Sequence, residues 1–119
     1  MRDFKTLKCW ALAHNLTLEI YKITTSFPPN ELFGLTSQMR KSSSSIPTNI
    51  AEGCGRKTKA DFSRFLDIAI GSSNELEYQL LLAKDLNYIL IPKYSELSEK
   101  VIEVRKTTNG YQKSMWANT

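Results

Sequence analysis

The chain has 119 residues, 41% hydrophobic and 24% charged, with sixteen Lys and Arg against twelve Asp and Glu, one His and two Cys. That is the length of one domain with enough apolar residues for a core; two cysteines make no disulfide framework, and a net charge of +4 with a pI near 9.1 is too mild for a histone-like tail. No uninterrupted apolar run exceeds a handful of residues, so a bilayer span is excluded, and Met1-Arg2-Asp3-Phe4-Lys5 leads into an amphipathic segment instead of an apolar leader, so a cytoplasmic protein with reduced thiols is expected.

The first predicted helix carries the stripe Cys9, Ala13, Leu16, Ile20, Ile23, Phe27, whose alternating spacing of four and three is a heptad seam. It stops before Pro28-Pro29, because proline donates no backbone hydrogen bond and clashes with the preceding turn. The second begins between Glu31 and Thr36 and carries Leu35, Met39, Ser42/Ser43, Ile46, Ile50. Its four consecutive serines are poor helix formers but small enough to let a neighbour approach. Pro47 lies inside the period, and since the period resumes in phase at Ile50 a helix bent at Pro47 is preferred over one that ends and restarts. Gly53 and Gly55 are expected to end it with a left-handed cap. If these two helices are antiparallel, Cys9 and Cys54 fall near one end of the molecule, where a bridge is conceivable.

Thr58 is the expected N-cap of the third helix, with Asp61 in its first turn facing the positive end of the helix dipole. Its stripe is Phe62, Leu66, Ala69, Ser73, Leu76, Leu80, Ala83; Gly71 and Ser72-Ser73 narrow its middle opposite the serine run, and Asn87 is the expected C-cap. The fourth opens at Pro92, a residue suited to a first helical turn, carries Leu97, Val101, Val104, Thr108, Tyr111, Met115, and is weakened by Gly110 toward a fraying end. Four helices with short connections and no two-residue alternation predict an all-α, up-down-up-down bundle in a single domain over residues 1–119.

The charge is not evenly spread. Residues 40–64 hold six basic and two acidic side chains, a net +4, while the remainder carries ten of each sign and cancels. A localised basic junction between the second and third helices points to an anionic partner, RNA or DNA, with Arg40, Lys41, Arg56, Lys57, Lys59 and Arg64 as candidate phosphate contacts. The competing structural reading is a solvated rim, with ion pairs to Glu52 and Asp61. The turn Gly53-Cys54-Gly55-Arg56-Lys57-Thr58 has neither the P-loop spacing nor a preceding strand, and reads first as a turn and second as a phosphate cradle at a helix start.

Gln38, Arg40, Asn49, Glu52 and Glu75 lie beside the seams of the second and third helices; Gln38, Asn49, Glu52 and Glu75 are read as a buried hydrogen-bonded network that fixes register, in preference to a ligand or partner site. No metal or cofactor is expected: paired carboxylates of the di-iron kind need Glu-x-x-His, and His14, the only histidine, has no glutamate three residues before it. His14 reads as a partly buried spacer. Neither cysteine has an evident histidine partner and the serine run lacks the Ser-x-x-Lys order, so no catalytic constellation emerges and a non-enzyme is expected. Trp10, Tyr21, Phe62 and Phe65 read as core, and Trp116 with Tyr111 as an interface between subunits.

Several pieces of residues 3–91 form one pattern: Phe4, Trp10 and Ala13; Glu19-Ile20-Tyr21 and Phe27-Pro28; Glu31, Gly34-Leu35-Thr36, Gln38 and Arg40; the run Ser45-Ile46-Pro47-Thr48-Asn49-Ile50-Ala51-Glu52-Gly53-Cys54-Gly55-Arg56; and Phe65 to Ser72 with Glu75-Leu76. In these pieces the chain resembles the bacterial four-helix-bundle family whose founding members are encoded in intervening sequences of 23S ribosomal RNA genes. The chain departs from the family at Lys41-Ser42-Ser43, where an arginine and alanines are usual; charge and small size are kept. The resemblance implies a left-handed four-helix bundle that assembles into a homopentamer. It also implies kinship with the accessory variability determinant of diversity-generating retroelements, which works with a reverse transcriptase and contacts nucleic acid through a basic surface. The expected function is therefore non-enzymatic binding of nucleic acid or a nucleoprotein through the basic junction, with a protein-interaction scaffold as the alternative.

Overall fold

In the computed structural model, which describes residues 2–117, the chain forms four α-helices: α1 (Lys8–Thr24), α2 (Leu35–Cys54), α3 (Lys59–Asp85) and α4 (Ile91–Ala117). Two 3-10 turns precede α1 and α2, at Phe4–Thr6 and Pro29–Glu31, and no strand occurs among the described residues. Each helix packs on the next in order and α4 closes back on α1, which gives an antiparallel four-helix bundle measuring 47 × 24 × 20 Å. The predicted stripes face inward: Cys9, Ala13, Leu16 and Ile20 of α1, Leu35, Met39, Ile46 and Ile50 of α2, Leu66, Ala69, Leu76 and Leu80 of α3, and Leu97, Val101 and Val104 of α4 are buried. Burial of the Leu, Ile, Val and Met side chains among them is worth about 1.5–3 kcal/mol each relative to exposure, so this seam is what holds the bundle.

Helix α1 ends at Thr24, a turn earlier than the stripe suggests; Thr24 is buried in place of Ile23, with its hydroxyl donating to the Ile20 carbonyl at 2.7 Å. Helix α2 runs unbroken through Pro47. Proline has no N–H for the Ser43 carbonyl four residues back, and that oxygen is served from the neighbouring helix: Thr17 Oγ1 of α1 lies 2.9 Å from it and equally 2.9 Å from the Ala13 carbonyl, sharing one proton between them.

The serine-rich middle of α2 meets α3 as expected, through Ser45 Oγ and Ser72 Oγ at 2.8 Å and through Ser42 Oγ donating to Gln79 Oε1 at 2.6 Å. Gly71 takes no part in that approach; its side faces open space. Asn87 stands one position past the C-cap Leu86, at φ 64°, in a Schellman arrangement: the Asn87 N–H donates to Lys84 O and the Tyr88 N–H to Ala83 O, both at 2.9 Å. Helix α4 continues through Gly110 to Ala117. Cys9 and Cys54 are both buried and free, so no bridge forms.

Candidate nucleic-acid interface

The α2–α3 junction lies at the end of the bundle that also receives the start of α1 and the last turns of α4. Its glycines do not act as left-handed caps. No glycine among the described residues has positive φ, and Gly55 closes α2 in the right-handed region at φ −87°. Gly53 is instead a packing residue inside the last turn: a Cβ there would sit 2.6 Å from Phe62 Cδ1 and 3.1 Å from Phe65 Cβ. Its missing side chain lets α3 leave the turn directly against α2. Thr58 caps α3 as predicted, its Oγ1 accepting the Asp61 N–H at 3.1 Å.

Arg56, Lys57 and Lys59 project from this turn and are exposed. A residue absent from the sequence-derived set joins them: Arg2, whose backbone N–H donates to the Cys54 carbonyl at 3.2 Å, supplying a donor to a helix-end oxygen. Together Arg2, Arg56, Lys57 and Lys59 rim a cleft of about 190 Å³ floored by Phe62, Tyr111 and Met115. Burial pushes the Cys54 thiol and the Tyr111 phenol above their ordinary values, against an opposing pull from Arg2, so both are neutral at pH 7. Cys9 beneath is pushed up to about 11 by burial, so it too is a thiol and no thiolate nucleophile is prepared here.

The remaining predicted contacts divide. Arg64 is at the same end but committed to Asp61, with Nε at 3.1 Å and a terminal nitrogen at 2.9 Å from Oδ1. Arg56 meets Glu52 at 3.4 Å and Asp61 at 3.5 Å, and the guanidinium groups of Arg56 and Arg64 each lie 4.6 Å from the Phe65 ring centroid. For these two arginines the ion-pair reading therefore describes the free protein. Such exposed pairs hold by about 0–1 kcal/mol and open readily for a phosphate.

Arg40 and Lys41 are not part of this end. About 20 Å of helical rise separates them from the α2 C-terminus. Arg40 stacks 5.0 Å over Tyr21 and donates from Nε to Thr24 Oγ1 at 2.9 Å, tying α2 to the end of α1. Tyr21 is accordingly exposed on α1 and not core.

The polar network expected of Gln38, Asn49, Glu52 and Glu75 runs through other residues. Gln38, Glu52 and Glu75 are exposed, since their positions on α2 and α3 fall outside the buried seam, and Asn49 is half-buried with its amide donating to Ser45 O at 2.7 Å and Ser45 Oγ at 3.0 Å within its own helix. The buried polar residues are Thr17, Thr24, Thr36, Ser42, Ser43, Ser73, Gln79 and Thr108; the serine spacing points toward the serines among them, while Gln79 carries no separate signal. His14 is exposed and stacks on Trp10 at 5.0 Å and 6°. Among the described residues no group of three or more His, Cys, Asp or Glu could hold a metal ion, and no helix is long and apolar enough to cross a membrane.

The model of the 23S rRNA-intervening sequence protein family matches residues 5–110, so the chain belongs to that family. Its fold is similar to that of a protein of unknown function from the S23 ribosomal protein family of Bacteroides thetaiotaomicron, with a TM-score of 0.82 and 25% identity over 88% of this chain and 95% of that one. No curated protein sequence matches significantly.

Proposed function

We propose that this protein is a non-enzymatic, oligomeric nucleic-acid-binding protein that engages the phosphate backbone through the basic end of the bundle. The observation that carries the reading is the convergence of Arg2, Arg56, Lys57 and Lys59, from the N-terminal segment and the α2–α3 turn, around one cleft. Within this group Arg56 pairs with Glu52 and Asp61, and exposed pairs of that kind exchange at little cost for a phosphate. Each phosphate the cations neutralise releases condensed counterions, which drives association. Arg40 and Lys41 serve the α1–α2 contact and the solvated flank in this reading, and Arg64 holds Asp61. Membership of a family named for its 23S rRNA genes fits an RNA partner. The homopentamer, and a protein partner such as a reverse transcriptase, follow from the resemblance. Exposed Leu18, Tyr21, Ile68 and Tyr78 on the flanks of α1 and α3 are available for subunit contacts.

The test is a titration of labelled RNA and DNA against wild type and the triple variant Arg56→Gln, Lys57→Gln, Lys59→Gln at low and moderate salt, with light scattering on the same 13.6 kDa chain. Wild type is expected to bind with a log–log salt slope of about −0.7 to −0.9 per phosphate engaged. The variant should lose at least about ten-fold in affinity while its melting temperature stays within the small range typical of surface changes, and the mass should lie near five protomers. Absence of wild-type binding at low salt, or equal binding by the variant, leaves the protein-interaction scaffold as the function.

A further inference from the structure

Inside the cationic rim the floor of the cleft is apolar. Phe62 and Tyr111 meet at 5.9 Å and 53°, so the more buried ring supports the more exposed one, and Met115 extends the same surface toward solvent. The Arg2 guanidinium reaches over the Tyr111 ring at 5.8 Å. A further ring stands nearby on α4: Trp116 is 45% exposed, with its indole N–H donating to Ser63 Oγ at 3.3 Å, beside Arg64. Phosphate contact alone makes no use of a polarizable floor between the cations.

Resting on the phosphate-binding reading above, we infer that the basic end takes an unpaired stretch of nucleic acid, with a base laid against the Tyr111–Met115 floor and the flanking phosphates on Arg2, Arg56, Lys57 and Lys59. Two physical arguments select an unpaired strand over a duplex. At about 190 Å³ the cleft is smaller than the roughly 300 Å³ at which pockets for drug-sized molecules begin, a size that suits one planar ring system on its floor. A duplex also keeps its bases stacked inside and its phosphates outside. It could reach the rim alone, leaving the apolar floor in water. An unpaired base presents a free π-face, and stacking on an aromatic side chain accepts any base, so the resulting preference is for strandedness and not for sequence.

The experiment measures fluorescence anisotropy of single-stranded oligonucleotides, RNA and DNA, against duplexes of equal phosphate count, for wild type, Tyr111→Phe, Tyr111→Leu and Met115→Ser. Single strands are expected to bind at least about five-fold tighter than duplexes. Tyr111→Phe, which keeps the ring, should match wild type; Tyr111→Leu should weaken single-strand binding about five-fold or more and leave duplex binding unchanged. Met115→Ser, at the half-exposed edge of the floor, should weaken it in the same direction and carries the test if Tyr111→Leu does not fold. Duplex binding as tight as single-strand binding, or an unaltered ratio in both floor variants, overturns this inference and leaves the phosphate reading in place. Failure of wild type to bind either form at low salt overturns both.

Discussion

At the end of the bundle where α2 passes into α3, four cations surround a cleft; at the opposite end, where the α1–α2 and α3–α4 connections meet, the exposed large hydrophobic side chains are Leu32, Phe33, Leu86, Leu90 and Ile91, with Phe33 93% exposed. The two ends are also built differently. The basic end relies on close backbone approach: Gly53 against Phe62, Thr58 capping α3, and the Arg2 N–H on the end of α2. The apolar end relies on one carboxylate. Glu31 accepts the Leu35 N–H at 3.1 Å through Oε1 and the Tyr88 hydroxyl at 2.8 Å through Oε2, and Tyr88 packs on Phe27 at 5.3 Å, which joins the two connections. The one end presents cations from several segments on a closely packed scaffold, whereas the other presents an apolar surface from two connections tied through Glu31 and the Phe27–Tyr88 contact.

The comparison breaks first at Gly53. Replacing it by alanine pushes a methyl group into the Phe62 ring, and a loss of about 1–3 kcal/mol is expected from overpacking, read as a lower denaturation midpoint. Gly71→Ala is the control: nothing lies within 4 Å of the added Cβ, so removing a glycine from a helix interior should raise stability by about 0.5–1 kcal/mol. If both changes behave alike, close packing is not what shapes the basic end.

Thr58→Ala tests the same end more gently. It removes the acceptor for the Asp61 N–H and should cost about 1 kcal/mol in chemical denaturation, within the 0.5–2 kcal/mol usual for a lost cap. The Arg56 and Arg64 pairs with Asp61 are expected to loosen along with it, so single-strand binding should change by less than in the charge-removal variant.

The smallest effect lies at the apolar end. The Leu35 N–H, and after it the Tyr88 hydroxyl, hold the Glu31 carboxyl below its ordinary value. A depressed carboxyl stabilises the fold above the ordinary glutamate range, near pH 4.3, and that contribution is lost as pH falls through the folded value. Thermal melts from pH 7 down to pH 3 should therefore show Glu31→Gln slightly below wild type at neutral pH and the two converging in acid. A constant gap across that range would mean that the carboxylate charge does not hold the two connections together.

Much of the fold is legible in the residues themselves. The apolar period, the prolines at 28, 29 and 92 and the Thr58 cap place four helices whose buried faces match apart from Ile23, Tyr111 and Met115, which are only partly buried, because helix propensity, capping and periodicity act over a few neighbouring residues. The basic site is only half legible. Charge density marks the junction, since Arg56, Lys57 and Lys59 are close in sequence, but it does not separate them from Arg40 and Lys41, which one helix carries to a different height. Glycines at 53 and 55 suggest a left-handed cap, whereas the contact that needs Gly53 is with Phe62, nine residues later.

The sequence by itself determined the four helices, their inward faces and the concentration of charge near the α2–α3 turn. The tertiary structure decided which cations share a surface, that Arg2 belongs with them, and that Gln79 completes the polar contact of Ser42. The physical reason is range. A helix forms and stops through interactions between residues a few positions apart, while the surroundings of a charge or a buried amide are set by whichever segments fold against it, and those lie tens of residues away along the chain.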